Sequence, residues 1–244
     1  NGVNMRVITW NCKQKFREDY KEIIFLKPDI LVIQECESLE KINFDLFSIS
    51  PDDSYWIGDN PNKGLGVFTF NNFKISPIQE YTDELKYILP LKIYNNINSF
   101  NLMGVWTQKL GEKTKNHKNY IRQVQLSLNK YKHFLNSDNV IICGDFNSNL
   151  IWKNPHRVDY DHKDVVESLE RMNVFSSYHY FKNEDQGKEL SPTYFHHHKR
   201  EKPFHLDYCF LSKNLMDKLV NVEVGKFEDF IEVSDHLPII IEFK

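Results

Sequence analysis

The segment Val-Ile-Ile-Cys-Gly-Asp-Phe-Asn at residues 140–147 constrains the fold more than any other part of the sequence. Its apolar, β-prone start predicts a strand that is buried on both faces and ends at Gly-Asp-Phe-Asn. Asp145 and Asn147 are two positions apart, so on extended backbone their side chains point the same way. Such strand ends often carry the functional residues of α/β proteins, although the two side chains could also simply bond their own backbone in a turn.

Two earlier strands are predicted to end in the same manner. Residues 5–10 form an apolar run that stops at Asn11, and residues 29–35 form a second buried run that stops at Glu35. Between them, residues 17–26 have apolar side chains at helical spacing and end before a proline. This order of strand, helix and strand predicts a packed α/β layer.

The remaining sequence predicts hairpin strands, two more helices and three short strands. Runs with alternating or glycine-punctuated patterns predict antiparallel strands at residues 55–75, 89–94 and 100–107. Apolar positions at helical spacing predict helices at residues 119–135 and 164–172. Further strands are predicted at residues 192–195, 205–211 and 239–243.

Length and composition favour one domain with a large core. The 244 residues show no linker, so we expect a single domain over residues 5–244, preceded at residues 1–4 by either an artificial remnant or a trimmed leader. Hydrophobic residues make up 41% and aromatic residues 14% of the chain, which argues against a disordered protein. The net charge of -3 gives no bulk attraction for polyanions, so a nucleic-acid site would have to come from local basic patches.

The cysteines and the apolar runs bear on the cellular compartment. The four cysteines lack the spacing of a zinc site or a disulfide scaffold, which predicts free buried thiols in a reducing compartment. No run is long enough to span a membrane, and the N-terminus lacks the profile of a secretory signal. We therefore expect a cytoplasmic monomer without membrane association.

Polar residues at five strand edges form a candidate site. They are Asn11, Glu35, Asp145 with Asn147, Asp207, and Asp235 with His236. Carboxylates and amides are hard oxygen donors, which suit Mg²⁺ or Mn²⁺ and leave coordination positions for a substrate. Such an ion stabilises the charge of a phosphate ester while a carboxylate orients or deprotonates an attacking water. His236 would face the same phosphate, with Asp207 fixing its tautomer and raising its pKa.

Five short motifs resemble those of the endonuclease/exonuclease/phosphatase superfamily, which includes exonuclease III, deoxyribonuclease I and the inositol polyphosphate 5-phosphatases. The motifs are Thr9-Trp10-Asn11, Gln34-Glu35, Gly144-Asp145-Phe146-Asn147, Leu206-Asp207-Tyr208 and Ser234-Asp235-His236. They follow the superfamily's order over nearly the whole chain. Four of them are also similar to signatures of the tyrosyl-DNA phosphodiesterase branch, but they are shared so widely that they indicate the superfamily rather than a branch.

The resemblance implies a fold and a role for each motif residue. The fold is α+β: a four-layer α/β/β/α sandwich in which two mainly antiparallel β-sheets pack face to face, with the site at one edge. The metal, Mg²⁺ or Mn²⁺, would be held by Glu35 with help from Asn11, and Asp235 would be a metal-side or supporting carboxylate. The residues implied in catalysis are Asp145 for the water, Asn147 and His236 for the phosphate, and Asp207 to orient His236.

Trp106 is a departure from the superfamily pattern. At this strand position some nucleases of the superfamily carry a His or Tyr that assists the leaving group, and the tryptophan indole cannot act as such an acid. The resemblance therefore leaves Trp106 to stack on a base of the substrate or to close the pocket.

Several basic segments have two interpretations each. Arg122 is predicted either to face phosphate or to form a structural ion pair. Residues 109–118 form either a solvated loop or a basic overhang of the site. The run at residues 196–200 predicts a flexible cationic hairpin tip, in which His198 could contact a phosphate backbone. Three further basic residues follow the Gly-Asp-Phe-Asn turn and are candidates to line the cleft: His156, Arg157 and His162.

Three function classes are compatible with these features. The first is a metal-dependent nuclease or DNA-repair phosphodiesterase acting on DNA or RNA, which is supported by the resemblance, the local cations and Trp106. The second is a phosphoesterase acting on a small phosphorylated metabolite, a nucleotide or an inositol phosphate, which the net charge and the missing leaving-group acid favour. The third is a non-catalytic binding module, against which the concentration of carboxylates argues. We interpret the chain as a nuclease or phosphodiesterase.

Overall fold

The computed structural model describes residues 4–109, 120–152 and 161–244. The strands in these ranges are β1 (Met5–Asn11), β2 (Ile30–Cys36), β3 (Asp53–Asn60), β4 (Lys63–Thr69), β5 (Lys74–Pro77), β6 (Ile88–Tyr94), β7 (Ser99–Trp106), β8 (Val140–Asp145), β9 (Val174–Ser176), β10 (Tyr194–Phe195), β11 (Pro203–Phe204), β12 (Asp207–Ser212), β13 (Leu219–Val224) and β14 (Ile239–Phe243). The α-helices are α1 (Phe16–Phe25), α2 (Ile121–Lys130), α3 (Lys132–Leu135), α4 (His162–Arg171), α5 (Ser177–Lys182), α6 (Lys213–Met216) and α7 (Phe227–Phe230).

Twelve of these strands form two six-stranded sheets. The order in the first sheet is β13-β14-β1-β2-β4-β3, the order in the second is β5-β6-β7-β8-β12-β9, and β10 pairs with β11. Each large sheet has one parallel pair, β1 with β2 and β7 with β8, and its other pairs are antiparallel. Helices lie between the strands of each parallel pair in the chain, as a crossover connection requires. The expectation of two mainly antiparallel sheets is confirmed.

The alternation of side chains along the central strands explains the layers. In β2, Val32 belongs to the core between the two sheets, whereas Leu31 and Ile33 belong to a second core beneath α1 and α7. In β8, Ile141 faces the core between the sheets, and Ile142 faces a third core beneath α2, α3 and α4. Both faces of these strands are therefore apolar because both are covered. The predicted four-layer α/β/β/α sandwich is confirmed.

The helices match the periodicity of the sequence, except that one predicted helix is divided in two. The helices predicted at residues 17–26 and 164–172 are α1 and α4, and α4 begins with a capping box between Asp161 and Asp164. The helix predicted at residues 119–135 is divided into α2 and α3 at Tyr131, whose backbone has φ -101° and ψ 23°. Within the described ranges, no helix has the length and apolarity that a membrane crossing requires.

Asp207 begins a strand rather than ending one. The run predicted at residues 205–211 is β12, which starts at Asp207 and runs antiparallel to β8. Its first residue therefore lies beside the last residue of β8. Six elements were not predicted: β9, β11, β13, α5, α6 and α7. Five of them lack a clear periodic pattern, whereas Val220, Val222 and Val224 of β13 alternate with polar residues and could have indicated a strand.

Gly144 allows β8 to end beside β7. Its φ is +147°, and a Cβ here would lie 1.8 Å from the carbonyl oxygen of Val105. Gly144→Ala should therefore lower the free energy of unfolding by on the order of 3 kcal/mol or more, as measured by chemical denaturation. Gly104→Ala is the control, since a Cβ there comes no closer than 3.3 Å, to Val32 Cγ1. Equal losses in the two variants would contradict this account.

Candidate functional site

Strand ends from both sheets meet at one edge of the sandwich. In the first sheet β1 ends at Asn11, and in the second sheet β8 ends at Asp145. The register of β12 on β8 places Asp207 directly opposite Asp145, and the segment before β14 adds His236. An open cleft of about 700 Å³ lies at this edge. Six of the predicted site residues line it: Asn11, Glu35, Asp145, Asn147, Asp235 and His236.

Asp145 is buried at the floor of the cleft and uses both of its carboxylate oxygens. Oδ1 accepts a hydrogen bond from the backbone N–H of Asn147 at 2.9 Å, so the turn predicted as the simpler alternative is present. Oδ2 accepts from Asn11 Nδ2 at 3.0 Å and lies 3.8 Å from His236 Nε2. Burial raises the pKa of Asp145 to about 7; His236 opposes this shift, and the nearby Asp207 carboxylate adds to it.

His236 and Asp207 form a buried hydrogen-bonded pair. Nδ1 of His236 lies 2.8 Å from Asp207 Oδ2, which also accepts from the hydroxyl of Thr193 at 2.7 Å. Burial alone would lower the pKa of His236, but Asp207, Asp145 and Asp235 outweigh it and raise the pKa to about 10. The ring is therefore protonated at neutral pH, with Nδ1–H donated to Asp207 and Nε2–H on the side of Asp145. The contact with Asp207 holds the His236 ring in one orientation, and the catalytic role that the resemblance implied for Asp207 stays a prediction.

The backbone around the cleft is held in an unusual conformation. Glu35 and Asn147 have φ of 52° and 46°, in the left-handed region that few residues with a Cβ adopt. At Glu35 the pairing of β2 with β4 shifts register between Gln34 and Cys36, which is a β-bulge. At Asn147 the side-chain Nδ2 donates to the carbonyl of Thr107 at 3.0 Å. These contacts fix the two side chains at the cleft.

The oxygen donors on one side of the cleft fit a hard divalent cation. Asn11 Nδ2 contacts both Asp145 Oδ2, at 3.0 Å, and Glu35 Oε1, at 3.4 Å, so one amide lies between two carboxylates. Burial raises the pKa of Asp145 and so disfavours its ionised form, and a nearby divalent cation would lower that pKa again. Carboxylate oxygens are the ligands that Mg²⁺ and Mn²⁺ prefer.

A second group has a spacing compatible with metal binding but a less suitable chemistry. Ligand atoms of Asp145, Asp207 and His236 lie within 4.8 Å of one another. The raised pKa of His236 favours the protonated ring, which has no free lone pair for a metal, and Asp207 Oδ2 already accepts two hydrogen bonds, while Asp207 Oδ1 has no hydrogen-bond partner within the described part of the chain. The pair of His236 and Asp207 therefore suits hydrogen bonding to an anion, and the side of the cleft near Glu35 suits the cation.

Three predicted substrate-binding residues lie away from the cleft lining. Trp106 is 6% exposed, belongs to the core between the sheets and packs edge-on against Tyr87 at 4.8 Å, so its ring is not placed to stack on a base. Arg122 is partly buried in the first turn of α2. His198 ends a short turn between β10 and β11, where it contacts Lys13 rather than standing as a flexible tip. Residues 110–118, His156 and Arg157 lie outside the described residues.

Aromatic residues form one wall of the cleft that the sequence did not indicate. Trp152 is 45% exposed, and its ring lies 5.2 Å from that of Phe204, which in turn stacks on Tyr194 at 6.3 Å. All three residues line the cleft. Their positions depend on the β10–β11 hairpin and on the loop after β8, so no local pattern could have identified them. One feature of the sequence indicated their location, which is that all three lie within a few residues of a motif or of a predicted strand beside one.

A buried polar network lies beneath the loop that follows β8. Asn149 is 1% exposed, and its Nδ2 contacts Glu189 Oε2 at 3.2 Å and the carbonyl of His205 at 2.9 Å. His162, predicted as a candidate to line the cleft, is buried in this network with its Nδ1 3.2 Å from the hydroxyl of Ser148. Burial lowers the pKa of His162 to about 4, so the ring is neutral. The network fixes the start of the loop that carries part of the site.

Solved structures share this fold at low sequence identity. The catalytic domain of Xenopus laevis APE2 has a TM-score of 0.69 and 16% identity over 98% of this chain and 92% of that chain. The 3'-5' exonuclease NExo from Neisseria meningitidis has a TM-score of 0.68 and 14% identity, over 98% and 100% of the two chains. The AP endonuclease LMAP from Leishmania major has a TM-score of 0.65 and 14% identity, over 99% and 88%. No family model and no curated protein matches the chain.

These likenesses establish the architecture. The chain shares its sandwich fold with these three structures over nearly its whole length. The resemblance drawn from the five motifs is therefore confirmed at the level of the fold.

Glu189 gives the buried network a dependence on pH. Burial alone would raise its pKa, but hydrogen bonds from His179 and from the backbone N–H of Gly187 outweigh this and lower the pKa to about 2. A lowered pKa stabilises the folded state above the ordinary value of 4.5, and that contribution is lost as pH falls through about 2. Glu189→Gln should therefore flatten the pH dependence of the free energy of unfolding between these values.

Urea denaturation at a series of pH values measures this slope. The exposed Glu170 on α4 provides the control, because Glu170→Gln should keep the wild-type slope. An unchanged slope in Glu189→Gln would show that the network does not lower the pKa of Glu189.

Proposed function

We propose that this chain, with its superfamily sandwich fold, is a divalent-metal-dependent phosphodiesterase of the nuclease or DNA-repair type. The observation that carries the proposal is the convergence of Asn11, Glu35, Asp145, Asn147 and His236 on one cleft, from strand ends of both sheets. A protonated imidazole and several carboxylates in one cleft are the groups that hydrolysis of a phosphodiester requires.

The residues of the site have separate roles in the proposed reaction. His236 presents Nε2–H to a non-bridging phosphate oxygen and stabilises the charge that develops there, while Asp207 maintains its orientation. Asp145 Oδ2, held by Asn11, orients or deprotonates the attacking water. Asn147, whose amide is fixed by Thr107, contacts the phosphate.

Glu35, Asn11 and Asp235 would hold Mg²⁺ or Mn²⁺, which supplies Lewis-acid stabilisation of the phosphate and of the leaving oxygen. The need for this chemistry is greater here because Trp106 is buried in the core and provides no acid for the leaving group.

The aromatic wall favours nucleic acid as the substrate. Exposed aromatic rings beside a phosphate site stack on unpaired bases with little dependence on sequence. Trp152 and Phe204 provide such rings at the cleft. An exonuclease and an AP endonuclease are among the proteins with this fold, which supports the same class of substrate.

A small-molecule phosphoesterase is the second candidate. The cleft volume of about 700 Å³ lies within the range of small-molecule sites, and it would accommodate a nucleotide or an inositol phosphate. The net charge of -3 also provides no general attraction for a polyanion.

One assay separates the two candidates. The purified protein is incubated with Mg²⁺ or Mn²⁺ and three substrates: a DNA duplex with an abasic site or a blocked end, a single-stranded RNA, and bis-para-nitrophenyl phosphate. Each reaction is repeated with EDTA. EDTA-sensitive cleavage of an oligonucleotide is the expected result. Hydrolysis of the small ester alone would favour the second candidate, and no hydrolysis of any substrate would contradict both.

Asp145→Asn should reduce kcat by about 10²- to 10⁴-fold, because the amide keeps the shape of the side chain but cannot accept a proton. The melting temperature should change little, because the substitution removes a buried charge next to Asp207 but sets an amide NH2 group against one of the two donors that Asp145 accepts from. Steady-state kinetics and thermal melts check both statements, with the exposed Asp185→Asn as the control. Wild-type turnover in Asp145→Asn would refute the role assigned to Asp145.

Trp152→Ala should raise KM for oligonucleotides about tenfold and leave the hydrolysis of bis-para-nitrophenyl phosphate unchanged, because stacking contributes about 1–3 kcal/mol per base. Phe25→Ala is the control, since Phe25 is 81% exposed on α1. Equal effects on both substrates would mean that Trp152 shapes the reaction centre and does not stack on bases.

A further inference from the structure

Lys13 lines the candidate cleft, and none of the roles assigned above uses its charge. Its Nζ lies 2.7 Å from Asp235 Oδ2 and 2.9 Å from His198 Nε2, and the side chain is 39% exposed. An ammonium group has three N–H donors. With one directed at Asp235 and one at His198, the third is available to a ligand.

The contacts of His198 determine which of its nitrogens faces Lys13 as an acceptor. Nδ1 lies 2.7 Å from the carbonyl oxygen of Ile231, which can only accept a hydrogen bond. Nδ1 therefore carries a proton, and in the neutral ring Nε2 accepts from Lys13. The carbonyl, the imidazole and the ammonium form a directed chain that holds Nζ of Lys13 beside the cleft.

The backbone holds Lys13 at the same place. Its N–H donates to Asn11 Oδ1 at 3.0 Å, and the N–H of Gln14 donates to the carbonyl of Glu35 at 3.1 Å. Lys13 and Gln14 both have left-handed backbone, with φ of 50° and 64°. These bonds join the turn after β1 to the bulge of β2, so Lys13 is fixed between two residues of the site.

The charge of the cleft gives Lys13 a specific task. Glu35, Asp145 and Asp235 bring three carboxylates to the lining, and a phosphodiester is also an anion. Among the described residues that line the cleft there is one lysine and no arginine. An anionic substrate therefore meets the ammonium group of Lys13 beside Asp235.

We propose that Lys13 binds a non-bridging oxygen of the substrate phosphate and that His198 positions Lys13 for this contact. The inference rests on the proposed function, since it names a further substrate-binding residue of the same site. The competing account is that Lys13 only neutralises Asp235 and takes no part in substrate binding.

Lys13→Met distinguishes the two accounts, with Lys199→Met as the matched control on the exposed turn beside His198. The probe is a short fluorescein-labelled single-stranded DNA with phosphorothioate linkages, bound in EDTA and followed by anisotropy over a series of salt concentrations. Lys13→Met should weaken binding about tenfold and reduce the slope of log K against log salt by about 0.7, the value for one lost phosphate contact on a single strand. Lys13→Arg should retain most of the wild-type affinity and most of the wild-type salt slope.

His198→Phe tests the positioning role. It removes the acceptor for Lys13, so kcat/KM should fall in the wild-type background and should not fall further in the Lys13→Met background. Circular dichroism and thermal melts confirm that each variant is folded.

Two results would overturn the inference. If Lys13→Met keeps the wild-type affinity and salt slope while Mn²⁺ binding, measured by electron paramagnetic resonance, becomes tighter, Lys13 is a counter-ion of Asp235. If the effects of Lys13→Met and His198→Phe on kcat/KM are additive, His198 does not position Lys13. A wild-type protein that neither binds nor cleaves oligonucleotides would overturn the proposed function itself, which is a separate outcome from a selective failure of the variants.

Discussion

The pairing of β12 with β8 is the constraint on which the site depends. Its antiparallel register places Asp207 beside Asp145, so two carboxylates are buried next to each other. Like charges in one buried site cannot both remain ionised without a compensating cation. His236 supplies that cation, at 2.8 Å from Asp207 and 3.8 Å from Asp145. The segment before β14, which belongs to the other sheet, must therefore dock at this edge, and the electrostatics of the site connect the two sheets.

The motif residues without a direct role in the proposed chemistry make the bonds that join the motifs. Trp10 donates from Nε1 to the carbonyl of His236 at 3.0 Å, and the hydroxyl of Ser234 donates to the carbonyl of Asn11 at 2.6 Å. These two bonds connect the end of β1 to the segment before β14. In the second sheet, Tyr208 connects β12 to the loop after β8, because its hydroxyl lies 2.9 Å from the carbonyl oxygen of Ser148. In these three motifs a candidate site residue thus lies next to the residue that anchors it.

The sequence predicted most of the strands and the long helices because their patterns are local. The six cleft-lining residues of the motifs could also be predicted, since strand ends and motif order place them without knowledge of any long-range contact. The side of β7 on which Trp106 lies could not be predicted. Both faces of this strand are covered by apolar cores, so the sequence of β7 does not alternate between apolar and polar residues. His198 and Lys13 are 185 residues apart in the chain, and their contact depends on a hairpin and a left-handed turn that no local pattern specifies.

Five residues of the cleft lining have a positive φ although each has a Cβ: Lys13, Gln14, Glu35, Tyr120 and Asn147. Each such position costs roughly 1–2 kcal/mol relative to ordinary backbone. The obvious way to relieve that strain is glycine, which would delete the very side chains on which the cleft is built. A substitution that raises the stability of the fold at these residues would therefore remove side chains of the cleft. Stabilising substitutions can be made elsewhere in the sandwich without this loss.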